Sequence, residues 1–276
     1  MSDFMSLVKT ASSPQDFYHA FNRVYEKYAG EYLMLHYPFY RGVKEDLLQA
    51  QKNLVDYCIR QVLPVANQTM LDVGCGNGIQ AMYVYSMYNP AKMIGIDLNE
   101  ESIAIANVER DRRKLSEVSF HVANAQDMSC LPDGSIDVLI NIESAMHYPD
   151  KTKFLGEIHR VLKPGGRFVI ADLLTKRDRR KPWEKRMVLH HWNLARYERE
   201  LEKSPLILLS IEEITPHVIG GFRMNRYWFG NLQHRQVDLI WKILIRLWAK
   251  GFVLWMLYLF HSFRSYHLFV GEKRSA

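Results

Sequence analysis

Apolar positions along the chain change rhythm twice. Phe17, Phe21, Val24 and Tyr28 recur at three- and four-residue steps, which predicts a helix opened by Ser13-Pro14. Pro38, within the aromatic run 35–40, breaks that pattern. A second helical pattern covers about 43–62 and stops ahead of Pro64. From Met70 the apolar runs shorten and end in turn residues. Residues 70–73, 93–97, 119–122, 136–140 and 167–171 read as strands, with helical stretches between most of them. This alternation predicts βαβ units and a parallel sheet covered by helices on both faces.

The rhythm changes again after Thr175, where Lys176 to Lys181 are all charged. A helix is expected over 183–203, carrying His190, His191 and Trp192, and Gly220-Gly221 reads as a helix stop. The run 237–263 is strongly apolar, with Asp238, Lys242, Arg246 and Lys250 as a polar stripe at four-residue steps. Its uncharged part, 251–260, is too short for a bilayer span of about 20 residues. The last strand expected is 266–270.

Composition narrows this picture only in places. A chain of 276 residues with 48% hydrophobic and 24% charged residues can bury a large core, so disordered and collagen-like classes are out. No repeat of solenoid length is visible. The net charge of +6 permits nucleic acid, anionic lipid or an acidic substrate without choosing among them. No zinc finger, RNA-binding sheet motif or basic recognition helix is present, so nucleic acid is not expected as a partner. Cys58, Cys75 and Cys130 form no disulfide framework or metal spacing, which points to a reducing compartment and metal-independent chemistry. The N-terminus lacks a secretory pattern, so a cytoplasmic location is expected.

The sharpest signal is Asp72-Val73-Gly74-Cys75-Gly76-Asn77-Gly78, between a strand and a helix at 79–88. Glycines there let backbone approach a ligand, and the helix N-terminus adds partial positive charge. Asp97 closes the next strand, where nucleoside-binding folds carry a ribose-binding carboxylate. An acid two residues before the first glycine repels a pyrophosphate. It suits a cation such as S-adenosylmethionine, which carries a sulfonium and an ammonium and no phosphate.

With these motifs in order over 70–172, the chain resembles class I S-adenosylmethionine-dependent methyltransferases. Residues 141–150, Asn-Ile-Glu-Ser-Ala-Met-His-Tyr-Pro-Asp, resemble a narrower branch. It includes the erythromycin-type macrolide O-methyltransferases and the phthiotriol dimycocerosate methyltransferases. The resemblance implies a Rossmann-like, doubly wound, seven-stranded α/β sheet with the last strand antiparallel, plus a helical lid. Residues 1–65 would be a helical cap, 66–175 the cofactor-binding core, 176–235 the lid and acceptor-pocket segment, and 236–276 the apolar insertion and last strand. It also implies site roles. Gly74, Gly76 and Gly78 would shape the floor under the methionine moiety, with Asp72 near its end and Asn141 along its side. Asp97 would take the ribose hydroxyls and Leu98 the adenine face. Asn124, Ala125 and Gln126 would lie by the adenine edge; the family often has Asp-Ala where this chain has Asn124-Ala125.

Methyl transfer to a hydroxyl needs a proton acceptor, and histidine suits neutral pH. His147, just past the fourth strand, is the leading candidate, with Glu143 four residues earlier to orient it or to touch the substrate. A purely structural role beside Tyr148 and Pro149 is the competing reading. Tyr25, Tyr28, His36, His190 and His191 are acceptor-pocket candidates, although aromatic stripes more often pack as core. At most one of two adjacent helical histidines would face a pocket. The run 237–263 reads equally as a core helix, a port for an apolar acceptor, or a peripheral membrane contact. The expected activity is O-methylation of an apolar small molecule or lipid. C- or N-methylation on the same fold, and a non-catalytic cofactor-binding or lipid-surface adaptor, are the alternatives.

Overall fold

The computed structural model describes residues 22, 33–42, 45–176, 189–223, 254 and 258–275. Tyr25, Tyr28, the charge run from Arg177 and most of 237–263 lie outside the described residues.

Helix α1, Leu47–Arg60, starts where Asp46 accepts the Gln49 amide at 2.8 Å. Its buried face, Ala50, Leu54, Val55, Cys58 and Ile59, follows the helical repeat expected from 43–62. The core then alternates. Strand β1 (Thr69–Val73) leads to α2 (Ile79–Tyr88), β2 (Lys92–Asp97) to α3 (Glu100–Arg112), and β3 (Val118–Val122) to β4 (Ile136–Ile142). A 3-10 turn, Ala145–His147, precedes α4 (Lys151–Val161) and β5 (Leu162–Thr175). Helix α5 (Leu194–Lys203), β6 (Leu206–Glu213), α6 (Thr215–Arg223) and β7 (Arg264–Lys273) complete the described elements.

The seven strands lie in the order β3-β2-β1-β4-β5-β7-β6, and β7 runs antiparallel to both of its neighbours. The doubly wound sheet with an antiparallel last strand is thus as expected. Successive side chains of the central strands enter opposite layers. Leu71, Val73, Leu139, Phe168 and Ile170 join one core, and Met70, Val138, Ile140, Val169 and Ala171 the other. Burial on both faces explains why these strands read as continuous apolar runs.

Three expectations need correction, and one strand is newly placed. Strand β5 begins at Leu162, not 167, because Leu162 pairs with Ile136 before a register shift takes residues 163–166 out of the ladder. The sixth of the seven strands that the resemblance implies has no place assigned in the sequence; it is β6 at 206–213, which pairs with β7 at the sheet edge. Gly220-Gly221 lies inside α6, not beyond its end. His190 and His191 precede helix α5, which starts only at Leu194, because Asn193 caps it by accepting the Arg196 amide at 2.8 Å.

Candidate functional site

The C-terminal ends of the parallel strands β1, β2, β4 and β5 lie along one edge of the sheet, at the reversal of strand order between β1 and β4 where open α/β sheets carry their ligands in a crevice. The β1–α2 loop turns on Gly74, Gly76 and Gly78, with φ of 75°, 54° and 75°. A Cβ on Gly74 would stand 2.2 Å from Ser144 Oγ, and one on Gly76 would stand 3.0 Å from Leu35. Gly78 packs against Phe120 and Ala106 and begins α2.

The loop's amides are committed to protein acceptors. Gly74 and Cys75 donate to the Ile96 carbonyl at 2.7 and 3.0 Å. Gly78 donates to the Cys75 carbonyl at 3.0 Å, and Ile79 to Asn77 Oδ1 at 3.3 Å. Gly76 donates to Asp97 Oδ2 at 2.9 Å. Asp97 Oδ1 takes the Asn99 amide at 2.9 Å, so the carboxylate is fixed from both sides at the end of β2. Burial still raises its pKa, opposed by these amides. Leu98 beside it is 55% exposed, an apolar surface at the mouth of the crevice.

Asp72 is fully buried, and both of its oxygens are held by Gln80 Nε2, at 2.9 and 3.0 Å. Burial pushes its pKa up to about 7. Asn141 ends β4 as an acceptor with a fixed orientation. Its Nδ2 donates to the Val73 carbonyl at 2.8 Å, which can only accept. The same nitrogen also reaches Ser144 Oγ at 2.6 Å and the Tyr148 hydroxyl at 3.1 Å. Asn141 Oδ1 is left buried with no hydrogen-bond partner. After β3, Asn124 Oδ1 accepts the Gln126 amide at 2.9 Å, and Gln126 Oε1 accepts the Asp150 amide at 2.7 Å. Ala125 is buried beside them.

A strap of residues 33–40 crosses the crevice and is pinned by buried side-chain amides that sequence reasoning missed. Asn77 Nδ2 holds the Leu33 carbonyl at 2.9 Å, and Gln51 Nε2 holds those of Met34 and His36 at 2.6 and 2.9 Å. Asn53 Nδ2 holds the Phe39 carbonyl at 3.2 Å. Glu143 Oε1 takes the Tyr37 amide at 2.5 Å. Glu143 is buried in the left-handed region, at φ 55°, and burial pushes its pKa up to about 8. His36 Nδ1 meets the Tyr37 carbonyl at 2.9 Å, so that nitrogen carries the proton. Burial lowers the His36 pKa to about 4, which keeps it neutral.

His147 ends the 3-10 turn, half-buried, with its amide donated to the Ser144 carbonyl at 3.0 Å. His190 lies beside that turn, where its amide donates to the Met146 carbonyl at 2.7 Å. His191 Nδ1 is tied to the Leu173 carbonyl at 2.8 Å. The crevice therefore gathers the glycine loop, Asp97, Asn141, Glu143 and the His147 turn around the strap. Among the described residues no group of three or more His, Cys, Asp or Glu side chains could hold a metal ion.

Sheet order and glycine loop together define a Rossmann-like, doubly wound α/β type of protein. Residues 64–213 match the family model described as a methyltransferase domain, and the chain belongs to that family. It is 31% identical over 188 residues to the fatty-acid O-methyltransferase of Mycolicibacterium smegmatis, covering 68% of this chain and 60% of that protein. It is also 31% identical over 177 residues to a phthiotriol/phenolphthiotriol dimycocerosates methyltransferase of Mycobacterium tuberculosis, covering 64% and 58%. The chain spans about 60% of the length of the curated relatives it matches. Among solved structures, the [4+2]-cyclase SpnF superposes with a TM-score of 0.74 at 21% identity, covering 96% of this chain and 98% of that one. The geranyl diphosphate C-methyltransferase of Streptomyces coelicolor A3(2) gives 0.69 at 17%, covering 93% and 97%. At these identities the structures establish the fold alone, and a cyclase among them underlines that the fold does not choose the reaction.

Proposed function

We propose that this chain is an S-adenosylmethionine-dependent methyltransferase acting on an oxygen of an apolar, lipid-like acceptor. One observation carries the cofactor class. The amides of Gly74, Cys75, Gly76, Gly78 and Ile79 already have protein partners, so the loop is a poor cradle for a phosphate. Asp97, Leu98 and the lone acceptor Asn141 Oδ1 instead suit a nucleoside with a cationic tail.

The residues present fit S-adenosylmethionine in kind. Asp97 would accept the ribose hydroxyls, Leu98 would cover an adenine face, and Asn141 Oδ1 would accept from the ammonium. When bound, the cofactor supplies an electrophilic methyl on its sulfonium. The chain's own task is to align the acceptor, exclude water and take a proton. His147 takes the hydroxyl proton in this reading, at the end of the turn beside the crevice. Glu143 acts by seating Tyr37 and the strap. Gly76, packed against Leu35, keeps the floor low where a side chain would intrude.

The apolar acceptor is supported by the names of the two mycobacterial relatives, one a fatty-acid O-methyltransferase and the other a methyltransferase of phthiotriol dimycocerosates. Among the described residues no helix is long and apolar enough to cross a membrane. The test is mass spectrometry of the product. A methyl ether or ester is the expected outcome, and a methyl on carbon or nitrogen would overturn the choice of oxygen.

A further inference from the structure

Lys151 opens α4 and is fully buried, an uncommon fate for a lysine. Its ammonium donates to the His190 carbonyl and lies 5.4 Å from the centre of the Trp192 ring. The other face of the cluster is Asp172 on β5, also fully buried. Asp172 Oδ2 accepts the Tyr197 hydroxyl at 2.5 Å, and Oδ1 accepts the Leu173 amide at 2.9 Å. Tyr197 in turn packs edge-on against Trp192 with ring centres 5.1 Å apart, and the Lys151 charge opposes the rise in pKa that burial gives Asp172. The His190 amide returns to the Met146 carbonyl at 2.7 Å, and the Thr175 amide donates to the Trp192 carbonyl at 3.0 Å. Arg196 covers Trp192 at 4.6 Å.

These bonds meet at one place. The Met146 carbonyl, next to His147, is held by the His190 amide. His190 is held in turn by Lys151. Desolvating a lysine and an aspartate is costly, and apolar residues could fill the same space. The directed hydrogen bonds of these side chains, unlike an apolar filling, tie separate backbone segments into one geometry.

We infer that Lys151 and Asp172, with Tyr197, form a buried clasp that seats the His147 turn against residues 189–192. They are thus positioning residues for proton removal. The positioning role rests on the reading of His147 as proton acceptor; the clasp itself does not. Lys151→Met keeps the length of the side chain and removes the tie to His190. Lys151→Met combined with Asp172→Asn removes both charges at nearly constant volume. Tyr197→Phe removes one bond to Asp172 and leaves both charges in place.

The experiment uses the full chain labelled with [13C]histidine, with the His147 ring signal assigned through His147→Gln. The clasp predicts that this signal shifts and broadens in Lys151→Met and in the double variant, and shifts less in Tyr197→Phe. The signal of His121, on the far edge strand β3, stays in place. S-adenosylhomocysteine affinity by calorimetry stays within about threefold of the parent, because the clasp touches none of the proposed cofactor residues. An unmoved His147 signal in the folded variants, whatever their melting temperature, would reduce the cluster to packing and overturn the inference. Should both Lys151 variants fail to fold, Tyr197→Phe decides by the same signal. The readout needs no turnover, so it judges the clasp separately from methyl transfer. Where an acceptor is turned over, Lys151→Met is expected to lower kcat about tenfold or more at unchanged cofactor affinity.

Discussion

Asp97→Asn is the most informative single change, because it keeps the shape of the side chain and alters only what it accepts. In the native chain one oxygen takes the Gly76 amide and the other the Asn99 amide, each at 2.9 Å. Lone pairs remain on both oxygens for the two ribose hydroxyls. An asparagine has one accepting oxygen, and its NH2 would face one of those two amides, donor against donor. The change thus loses one charge-assisted bond to the ligand and weakens a second. At about 1.5–3 kcal/mol for each bond to a charged group, a loss of about 3 kcal/mol follows. With about 1.4 kcal/mol per tenfold, S-adenosylhomocysteine affinity falls by roughly 10²-fold. Isothermal calorimetry on the folded variant, checked by its melting curve, measures this. A Kd within threefold of the parent would refute the placement of the ribose on Asp97.

Four further outcomes follow from the same geometry. His147→Ala is expected to keep S-adenosylhomocysteine affinity and lower turnover by about 10²-fold or more; near-parental steady-state kinetics at neutral pH would remove its role as base. Gly76→Arg, at φ 54° and 3.0 Å from Leu35, is expected to abolish calorimetric cofactor binding, and retained binding would contradict the site's floor. Gly74→Ala forces a Cβ to 2.2 Å from Ser144 Oγ at φ 75° and should cost roughly 2 kcal/mol, seen as a melting point several degrees lower; an unchanged melting point would count against that packing. Glu143, raised to about 8 when folded against 4.5 in an unfolded chain, holds its proton only in the folded state between those values. Its contribution is therefore complete below about pH 4.5 and is lost as pH rises toward 8. Glu143→Gln, which still accepts the Tyr37 amide, should flatten that decline in melting temperature and raise stability at pH 8, whereas an unaltered pH profile would mean that Glu143 ionises freely.

Much of the fold was legible because its central strands are buried on both faces. That burial produces short apolar runs bounded by turns, and the glycine loop and Asp97 sit at their ends. β6 escaped notice for the opposite reason. It is an edge strand whose residues are mostly half-buried or exposed, so Leu206–Glu213 shows no clean alternation. Its register shift near Ser210 disturbs the pattern further. The helix expected over 183–203 would carry His190 and His191, but α5 starts only at Leu194. The signal against this was Asn193, a strong N-cap residue three positions before Arg196. Residues at strand ends could be named, but the clamps on them could not. Gln51, Asn53, Asn77 and Gln80 reach partners distant in sequence or across a turn, and nothing in a single sequence marks a buried amide as a clamp. Nothing in the sequence distinguishes Lys151 from an ordinary charge at a helix start; the fold shows it fully buried.

The central claim is that this crevice delivers a methyl group from S-adenosylmethionine to an apolar acceptor. The most direct test is to incubate the protein with S-adenosylmethionine labelled in the methyl group and a total extract of the source cells, then partition the mixture between organic and aqueous phases. Label in the organic phase, lost with Asp97→Asn, is the predicted result. Label confined to the aqueous phase would contradict the apolar acceptor, and no label in either phase, from protein that binds S-adenosylhomocysteine, would contradict methyl transfer itself.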